Sequence, residues 1–330
     1  MIPTDPHPVA QQAATGALPL WDRVEELVIE AHARYRDHTE GSVADYIPVL
    51  GRADPSLFGL VVTDVAGGSH VVGDADVAFS IQSISKLFVY ALALERHGHD
   101  RLREVVGVNN TGLPFNSVMA LELNEGHPMN PMVNAGAIAT TALLGDGDPG
   151  RSWEALSAGL ALFAGRELEV DEEVYASETA SNDRNLALGR LLRGYGRLEG
   201  PSDEHVDAYT RQCALSVTAR DIALMGATLA DGGVNPATGL RVVSEEVARD
   251  ALSVAAAAGL YERSGEWLFE IGLPAKSGVA GGIVAVAPGK GAVGAFSPPL
   301  DAAGNSVRSQ LAIGFLSRAM GLNLFASAVN

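Results

Sequence analysis

Residues 79–95 read FSIQSISKLFVYALALE, and this stretch decides the fold. From Ile84 to Leu94 every position is apolar except Ser85 and Lys86, and Ala91 and Ala93 are small enough for close packing. A helix that is apolar nearly all round belongs inside a domain rather than on its surface. Near its start this one carries Ser83 and, three residues on, Lys86. Residues spaced i, i+3 share a helix face, with Cβ atoms about 5–6 Å apart, so the hydroxyl and the amine can meet. A cation in the first turn faces the positive end of the helix dipole. Burial also disfavours the ammonium, so both effects push Lys86 towards the neutral amine. A neutral amine beside a serine can accept the hydroxyl proton and activate a weak nucleophile. The stretch points to a Ser-Lys nucleophilic hydrolase. Taken alone, Ser-x-x-Lys recurs by chance and a lysine near a helix start usually extends to water, so its weight comes from its surroundings.

Upstream, residues 57–63 and 70–73 are β-like runs around Ala66-Gly67-Gly68-Ser69, a hairpin signal. Residues 21–35 read as an amphipathic helix with Val24, Leu27, Val28, Ala31 and Tyr35 on one face. Asp45-Tyr46-Ile47-Pro48 follows, where the proline forbids a continuing helix. Residues 1–18, rich in Pro and Ala, read as a mobile tail. Downstream, candidate helices lie near residues 132–144, 152–164, 183–194, 203–212, 218–231 and 244–258, the fifth opened by a capping-box-like Thr218-x-x-Asp221. Residues 108–117 and 123–132 are long loops bearing Asn and Pro, the kind that often carries function. The period then changes. Residues 267–273, 283–287, 292–296 and 310–316 read as strands, with Pro288-Gly289-Lys290-Gly291 turning between the middle two. Residues 321–328 read as a closing helix.

Sheet elements at both ends with helices between them imply an α/β (α+β) fold: an antiparallel sheet built from N- and C-terminal strands, flanked by helices, with an all-helical domain inserted. The expected division is a discontinuous sheet domain over residues 19–98 plus 260–330 and a helical domain over residues 99–259. The active site belongs at their junction, where pockets commonly form.

The second half of that site is Lys276-Ser277-Gly278-Val279-Ala280-Gly281-Gly282, whose glycines let backbone approach a ligand closely. By itself the run reads as a bulge or turn. A Lys-Ser-Gly strand paired with an upstream Ser-x-x-Lys helix is similar to the motif set of penicillin-binding proteins and class A β-lactamases. The long separation of Lys86 from Lys276 leaves room for the inserted helices. The backbone N–H groups of Ser83 and Val279 are then natural oxyanion donors.

Asp45-Tyr46-Ile47-Pro48, Gln82-Ser83-x-x-Lys86, Phe115-Asn116-Ser117, Asn130-Pro131-Met132-Val133-Asn134-Ala135-Gly136-Ala137-Ile138 and Lys276-Ser277-Gly278-Val279 together resemble the serine-dependent glutaminases, of the β-lactamase-like serine hydrolase fold. Ser177-Glu178, Arg184-Asn185, Tyr209 with Gln212-Cys213, and Gly259-Leu260-Tyr261 extend the resemblance over roughly residues 20–325. It implies Ser83 as nucleophile, Lys86 as its base, Tyr261 assisting proton transfer and Val279 supplying an oxyanion N–H. It implies that Tyr46, Gln82, Asn134, Glu178, Asn185 and Tyr209, with Ser83, Tyr261 and Val279, hold L-glutamine. Glu178 suits the substrate ammonium, and Asn and Tyr donors suit its carboxylate. Without the family, each of these positions has a plain alternative: half-buried packing tyrosines, a solvated acidic run beside Asp171-Glu172-Glu173, or turn asparagines. Where the family commonly has Pro-Ser-Gly ahead of Phe-Asn-Ser, this chain has Asn110-Thr111-Gly112, a departure expected at the pocket border. Larger members carry ankyrin repeats after the catalytic domain, and this chain is expected to lack them. A homodimer or homotetramer fits the resemblance.

Composition bounds the alternatives. The chain has 330 residues, 47% hydrophobic and 19% charged, which suits one large or two modest globular domains. A formal charge of −17 argues against nucleic acid and anionic membrane surfaces. No apolar run reaches the about 18 residues of a membrane span, and the start lacks a signal-peptide pattern. Cys213 is the single cysteine, so no internal disulfide forms and a cytoplasmic location is expected; the residue itself reads as a small buried hydrophobe. The eight histidines show no metal-binding spacing, and Gly289-Lys290-Gly291 lacks the pattern of a phosphate loop, so no metal or cofactor is expected. Two alternatives stay open at this point: a β-lactam hydrolase or DD-peptidase, although Ser-Asp-Asn is missing from the helical region, and a catalytically silent glutamine-binding protein. An asparagine side activity needs a pocket one methylene shorter, a difference of about 1–3 kcal/mol.

Overall fold

A computed structural model describes residues 2–3 and 5–327. Its strands are β1 (Gly59–Asp64), β2 (Ser69–Gly73), β3 (Phe79–Ser80), β4 (Ser216–Val217), β5 (Ala275–Ser277), β6 (Gly282–Ala287) and β7 (Gly291–Phe296). Five of them form one antiparallel sheet in the order β2-β1-β7-β6-β5, while β3 and β4 pair separately. The N-terminal hairpin meets the C-terminal strands through β1 and β7, with Leu60 opposite Ala295 and Val62 opposite Val293. This is the composite sheet expected from the sequence.

The helices are α1 (Trp21–Tyr35), α2 (Ser85–Val105), α3 (Val118–Glu122), α4 (Asn134–Leu144), α5 (Pro149–Ala164), α6 (Glu172–Thr179), α7 (Asp183–Gly194), α8 (Ser202–Cys213), α9 (Ala219–Ala230), α10 (Glu245–Ala258), α11 (Ser264–Glu270) and α12 (Val307–Ala319). β6 and β7 are buried at every position, so alternation along them separates two cores rather than core from water. Val61, Val284, Val286 and Ala292 join one apolar cluster with α2, α9 and α10. Leu60, Val62, Ile283, Ala285, Val293 and Ala295 join the other, with α1, α11 and α12. Helices therefore cover both faces. α9 lies directly on β1, β6 and β7, and Gly294 permits the approach, since a Cβ there would collide with the Ala219 carbonyl. α9 opens with the anticipated capping box, Thr218 and Asp221 each bonding the other's backbone.

Four readings change. Residues 267–273 and 310–316 are not strands: they fall largely in α11 and α12, where Trp267 and Ile271, and likewise Leu311 and Phe315, turn to one buried side at i, i+4. A short apolar run fits a buried strand and a buried helix equally well. Residues 321–327 make turns instead of a closing helix, and residue 328 lies outside the described residues. α9 and α10, read as part of the helical insert, pack with the sheet and with α2. The N-terminal segment, read as mobile, is docked. Ile2 is buried in the second core, Ile2 N donates to Glu266 Oε2 (2.8 Å), and Tyr35 Oη donates to Asp5 Oδ2 (2.6 Å).

Candidate active site

The β3–β4 pair carries the chain to the head of α2. Ile81 N donates to Leu215 O (2.8 Å), and a single 3₁₀ turn, Gln82–Ile84, follows. Gln82 has φ +51°, in the left-handed region that a non-glycine residue occupies only when its surroundings hold it there. Ser83 thus stands on a tight turn feeding α2, and Lys86 is the second residue of α2 itself. Ser85 Oγ locks the turn by donating to Gln82 O (2.7 Å) while accepting from Gln212 Nε2 (2.9 Å). The turn is wedged against β5 and β6: a Cβ at Gly278 would lie 3.0 Å from Ile81 O and 3.3 Å from Gln82 Cβ. The Lys-Ser-Gly stretch and the Ser-x-x-Lys stretch meet here as anticipated.

Lys86 is 2% exposed, and its Nζ donates to Asn134 Oδ1 (2.6 Å) and Met132 O (3.2 Å). The Asn-Pro-Met-Val-Asn run is shaped to present both acceptors. Asn130 Oδ1 accepts from Met132 N (3.0 Å) and Val133 N (3.1 Å), and Asn130 Nδ2 donates to Asn109 O (2.7 Å). Burial pulls the Lys86 amine down to about 8. Tyr261, at φ +55°, donates its hydroxyl to Ser277 O (3.2 Å) and lies close enough to Ser83 for the serine hydroxyl to act on its titration, in the lowering direction. Burial raises this phenol well above its ordinary value, so it stays protonated. The Phe115 ring lies 4.8 Å from the Tyr261 ring.

A polar chain extends from this centre. Tyr209 Oη donates to Asn134 Oδ1 (3.3 Å), Asn134 Nδ2 to Asn185 Oδ1 (2.9 Å), and Asn185 Nδ2 to Asn182 Oδ1 (2.7 Å). Gln82 Nε2 donates to Glu178 Oε1 (2.6 Å), and burial lifts the Glu178 carboxyl to about 7. Together these groups surround a cavity of about 260 Å³ lined by Tyr46, Gln82, Ser83, Asn134, Glu178, Asn185, Tyr209 and Val279. Tyr46 is 60% exposed and stands at the mouth. Tyr261 is outside the lining, near Ser83. Asn182 and Ser181 also line the cavity and were not anticipated; their one signal is that they stand just before the Arg184-Asn185 run, with Asp183 between. Cys213 lines it as a buried thiol pushed up to about 12, in keeping with an inert small hydrophobe. A roomier cavity of about 360 Å³, bordered by His97, Arg101 and Arg197, shares none of these residues. Convergent titratable groups, not volume, mark the site.

A serine hydroxyl, a buried amine and a small polar cavity lie in one place. The glutaminase family model matches residues 41–325. This chain is a member of the glutaminase family. The family's enzymes are hydrolases of the glutamine side-chain amide. The chain is 49% identical to glutaminase 2 of Yersinia pestis over 328 residues, covering 99% of this chain and 96% of that one. It is 47% identical to a glutaminase of Colwellia psychrerythraea, covering 92% and 97%. Among solved structures, the probable glutaminase ybaS superposes with a TM-score of 0.91 at 40% identity, covering 93% of this chain and 99% of that one. Mglu, solved in a glutamate form, superposes with a TM-score of 0.85 at 43% identity, covering 93% and 69%.

Proposed function

We propose that this glutaminase converts L-glutamine to L-glutamate and ammonia through a γ-glutamyl ester on Ser83. The observation that carries the reading is the pair of hydrogen bonds that hold the buried Lys86 amine. A neutral amine has two N–H bonds, and Asn134 Oδ1 and Met132 O accept both, which leaves its lone pair for the Ser83 proton. Ser83 Oγ then attacks the side-chain amide carbon. The oxyanion rests on the N–H groups of Ser83 and Val279; the neighbouring Gly278 amide is already committed to Gly282 O (2.9 Å). Tyr261, protonated and near Ser83, passes a proton to the departing ammonia and is restored from Lys86. Water, activated by the same amine, cleaves the ester to release glutamate.

The remaining residues hold the amino-acid end. Glu178 accepts from the substrate ammonium, while Asn185, Tyr46, Tyr209 and Asn134 orient the carboxylate and the chain. Gln82 aims the Glu178 carboxylate. That Mglu was solved in a glutamate form is in keeping with glutamate as the product. Among the described residues no helix is long and apolar enough to cross a membrane. A cytoplasmic homodimer or homotetramer, with the site between a sheet unit and a helical unit, completes the reading; cell fractionation and light scattering test its first two parts.

The decisive experiment is ammonia release from glutamine by the wild type and Ser83→Ala, with mass spectrometry after 6-diazo-5-oxo-L-norleucine. The variant is expected to lose about 10⁴-fold or more in kcat, and the adduct to map to the Ser83 peptide. Ammonia release by Ser83→Ala within tenfold of wild type would reject the mechanism.

A further inference from the structure

Lys276 is fully buried, lies outside the cavity lining and has no part in the cycle above. An interior amine is costly unless its hydrogen bonds are made. Here they are made, and every partner belongs to the surroundings of Tyr261. Lys276 Nζ donates to Gly259 O (2.9 Å), two residues before the tyrosine. It donates to Ser277 O (2.7 Å), the same carbonyl that accepts from the Tyr261 hydroxyl. It also lies 4.4 Å from the centroid of the Tyr261 ring. Gly259 O accepts from Ser277 N as well (3.2 Å), so the turn before Tyr261 is stapled to β5 from both the backbone and the lysine. Tyr261 needs this support. At φ +55° it occupies a region that a bulky side chain keeps only when its neighbours over-determine it.

We propose that Lys276 is a positioning residue: by bridging Gly259 O, Ser277 O and the face of the Tyr261 ring, it fixes the tyrosine hydroxyl against Ser83, and it acts on turnover only through Tyr261. The inference rests on the reading that Tyr261 moves a proton in the reaction. Lys276 takes no proton from Ser83, because its two hydrogen bonds run to main-chain carbonyls. It holds the donor that does the transfer, and misplacement of such a group by about 1 Å is enough to cost about a hundredfold in rate.

A double-mutant cycle separates this role from a general structural one. Lys276→Met, Tyr261→Phe and the double variant are assayed for ammonia release, with melting curves on each. Lys276→Met is expected to lower kcat about 10–100-fold with KM within about twofold of wild type. In the Tyr261→Phe background the same change is expected to cost less than about twofold. Independent losses that multiply, a rise in KM with kcat kept, or wild-type kinetics in Lys276→Met would each overturn the proposal. If Tyr261→Phe retains wild-type kcat, the proton-transfer reading of Tyr261 is itself wrong, which the single variant reports separately. Should Lys276→Met yield no folded protein, Lys276→Gln, which keeps an N–H donor on a chain one bond shorter, runs through the same cycle with the same criteria.

Discussion

Lys86 and Glu178 are drawn towards each other in pKa, the amine down to about 8 and the carboxyl up to about 7, chiefly because burial penalises the charged form of each. The proposed cycle needs the opposite forms from those that low pH supplies: Lys86 neutral to accept a proton, Glu178 ionised to accept from the substrate ammonium. kcat/KM for ammonia release is therefore expected to climb from pH 6 to pH 9 with two ionisations near 7 and 8, and a profile that is flat or falling over that range would contradict the assignments. Glu178 also carries a stability signature. Its folded value of about 7 exceeds its ordinary 4.5, so its stabilising contribution is full below 4.5 and is lost as pH rises through about 7. Glu178→Gln should accordingly melt a few degrees above wild type at pH 8, by roughly 1–3 kcal/mol, with the gap closing near pH 4.5, even as it loses glutamine turnover. Differential scanning calorimetry at the two pH values checks this. Of these residue-scale features, the Ser83–Lys86 spacing was legible because it is local. The partners of Lys86 were not, since Met132 and Asn134 lie 46 and 48 residues away and only the folded chain brings them in.

At the scale of elements, the helices with caps and clear periodicity were the readable ones. α9 announced itself through Thr218 and Asp221, and Asp221 does double duty by also pairing with Arg166 through Nε (2.9 Å) and Nη2 (2.6 Å). Thr218→Ala removes only the hydroxyl's share of that box and is expected to cost about 1–2 kcal/mol in urea melts. α6 escaped the reading because its first turn is acidic and Val174 is its single buried residue, so no apolar stripe marks it. α12 was mistaken for a strand for the converse reason, being buried on so many sides that period is erased, and α11 because seven residues are too few to show one. The α9–sheet contact gives the sharper test. At Gly294 a side chain has nowhere to go between β7 and the start of α9, so Gly294→Val is expected to destabilise by roughly 3 kcal/mol and to lower soluble yield. Thr63→Val on the neighbouring strand, which instead removes a hydroxyl hydrogen bond to Ser69 Oγ (2.9 Å), should cost about 1 kcal/mol.

Across the whole molecule, the sheet divides the chemistry from its support. Ile84, Tyr261 and Val279 belong to the core on the α2 and α9 face, whereas Ile2, Tyr35 and Phe315 belong to the core on the α1 and α12 face. The fold class was readable from strands at both ends of the chain with helices between them, and the N-terminus was not. Strands apolar at every position require cover on both faces, but nothing in a Pro- and Ala-rich segment says that it supplies part of the cover. Besides the Ile2 and Asp5 contacts with α11 and α1, Gln12 N donates to Arg318 O (2.9 Å) and Ala14 N to Ala326 O (2.8 Å), so the segment is also tied to α12 and the turn beyond it. Burying Ile2 contributes about 1.5–3 kcal/mol, and each hydrogen bond adds about 1 kcal/mol against the entropy of ordering the strap. Removal of residues 1–15 is thus expected to lower stability by roughly 2–4 kcal/mol. Because every one of these contacts is on the face away from Ser83, kcat and KM at 25 °C should stay within about twofold of the full chain. Melting by circular dichroism, paired with the ammonia assay, reads both quantities. An unchanged Tm would mean that the strap rests on the surface without holding it, and a collapse of kcat at unchanged Tm would mean that the two faces of the sheet are coupled.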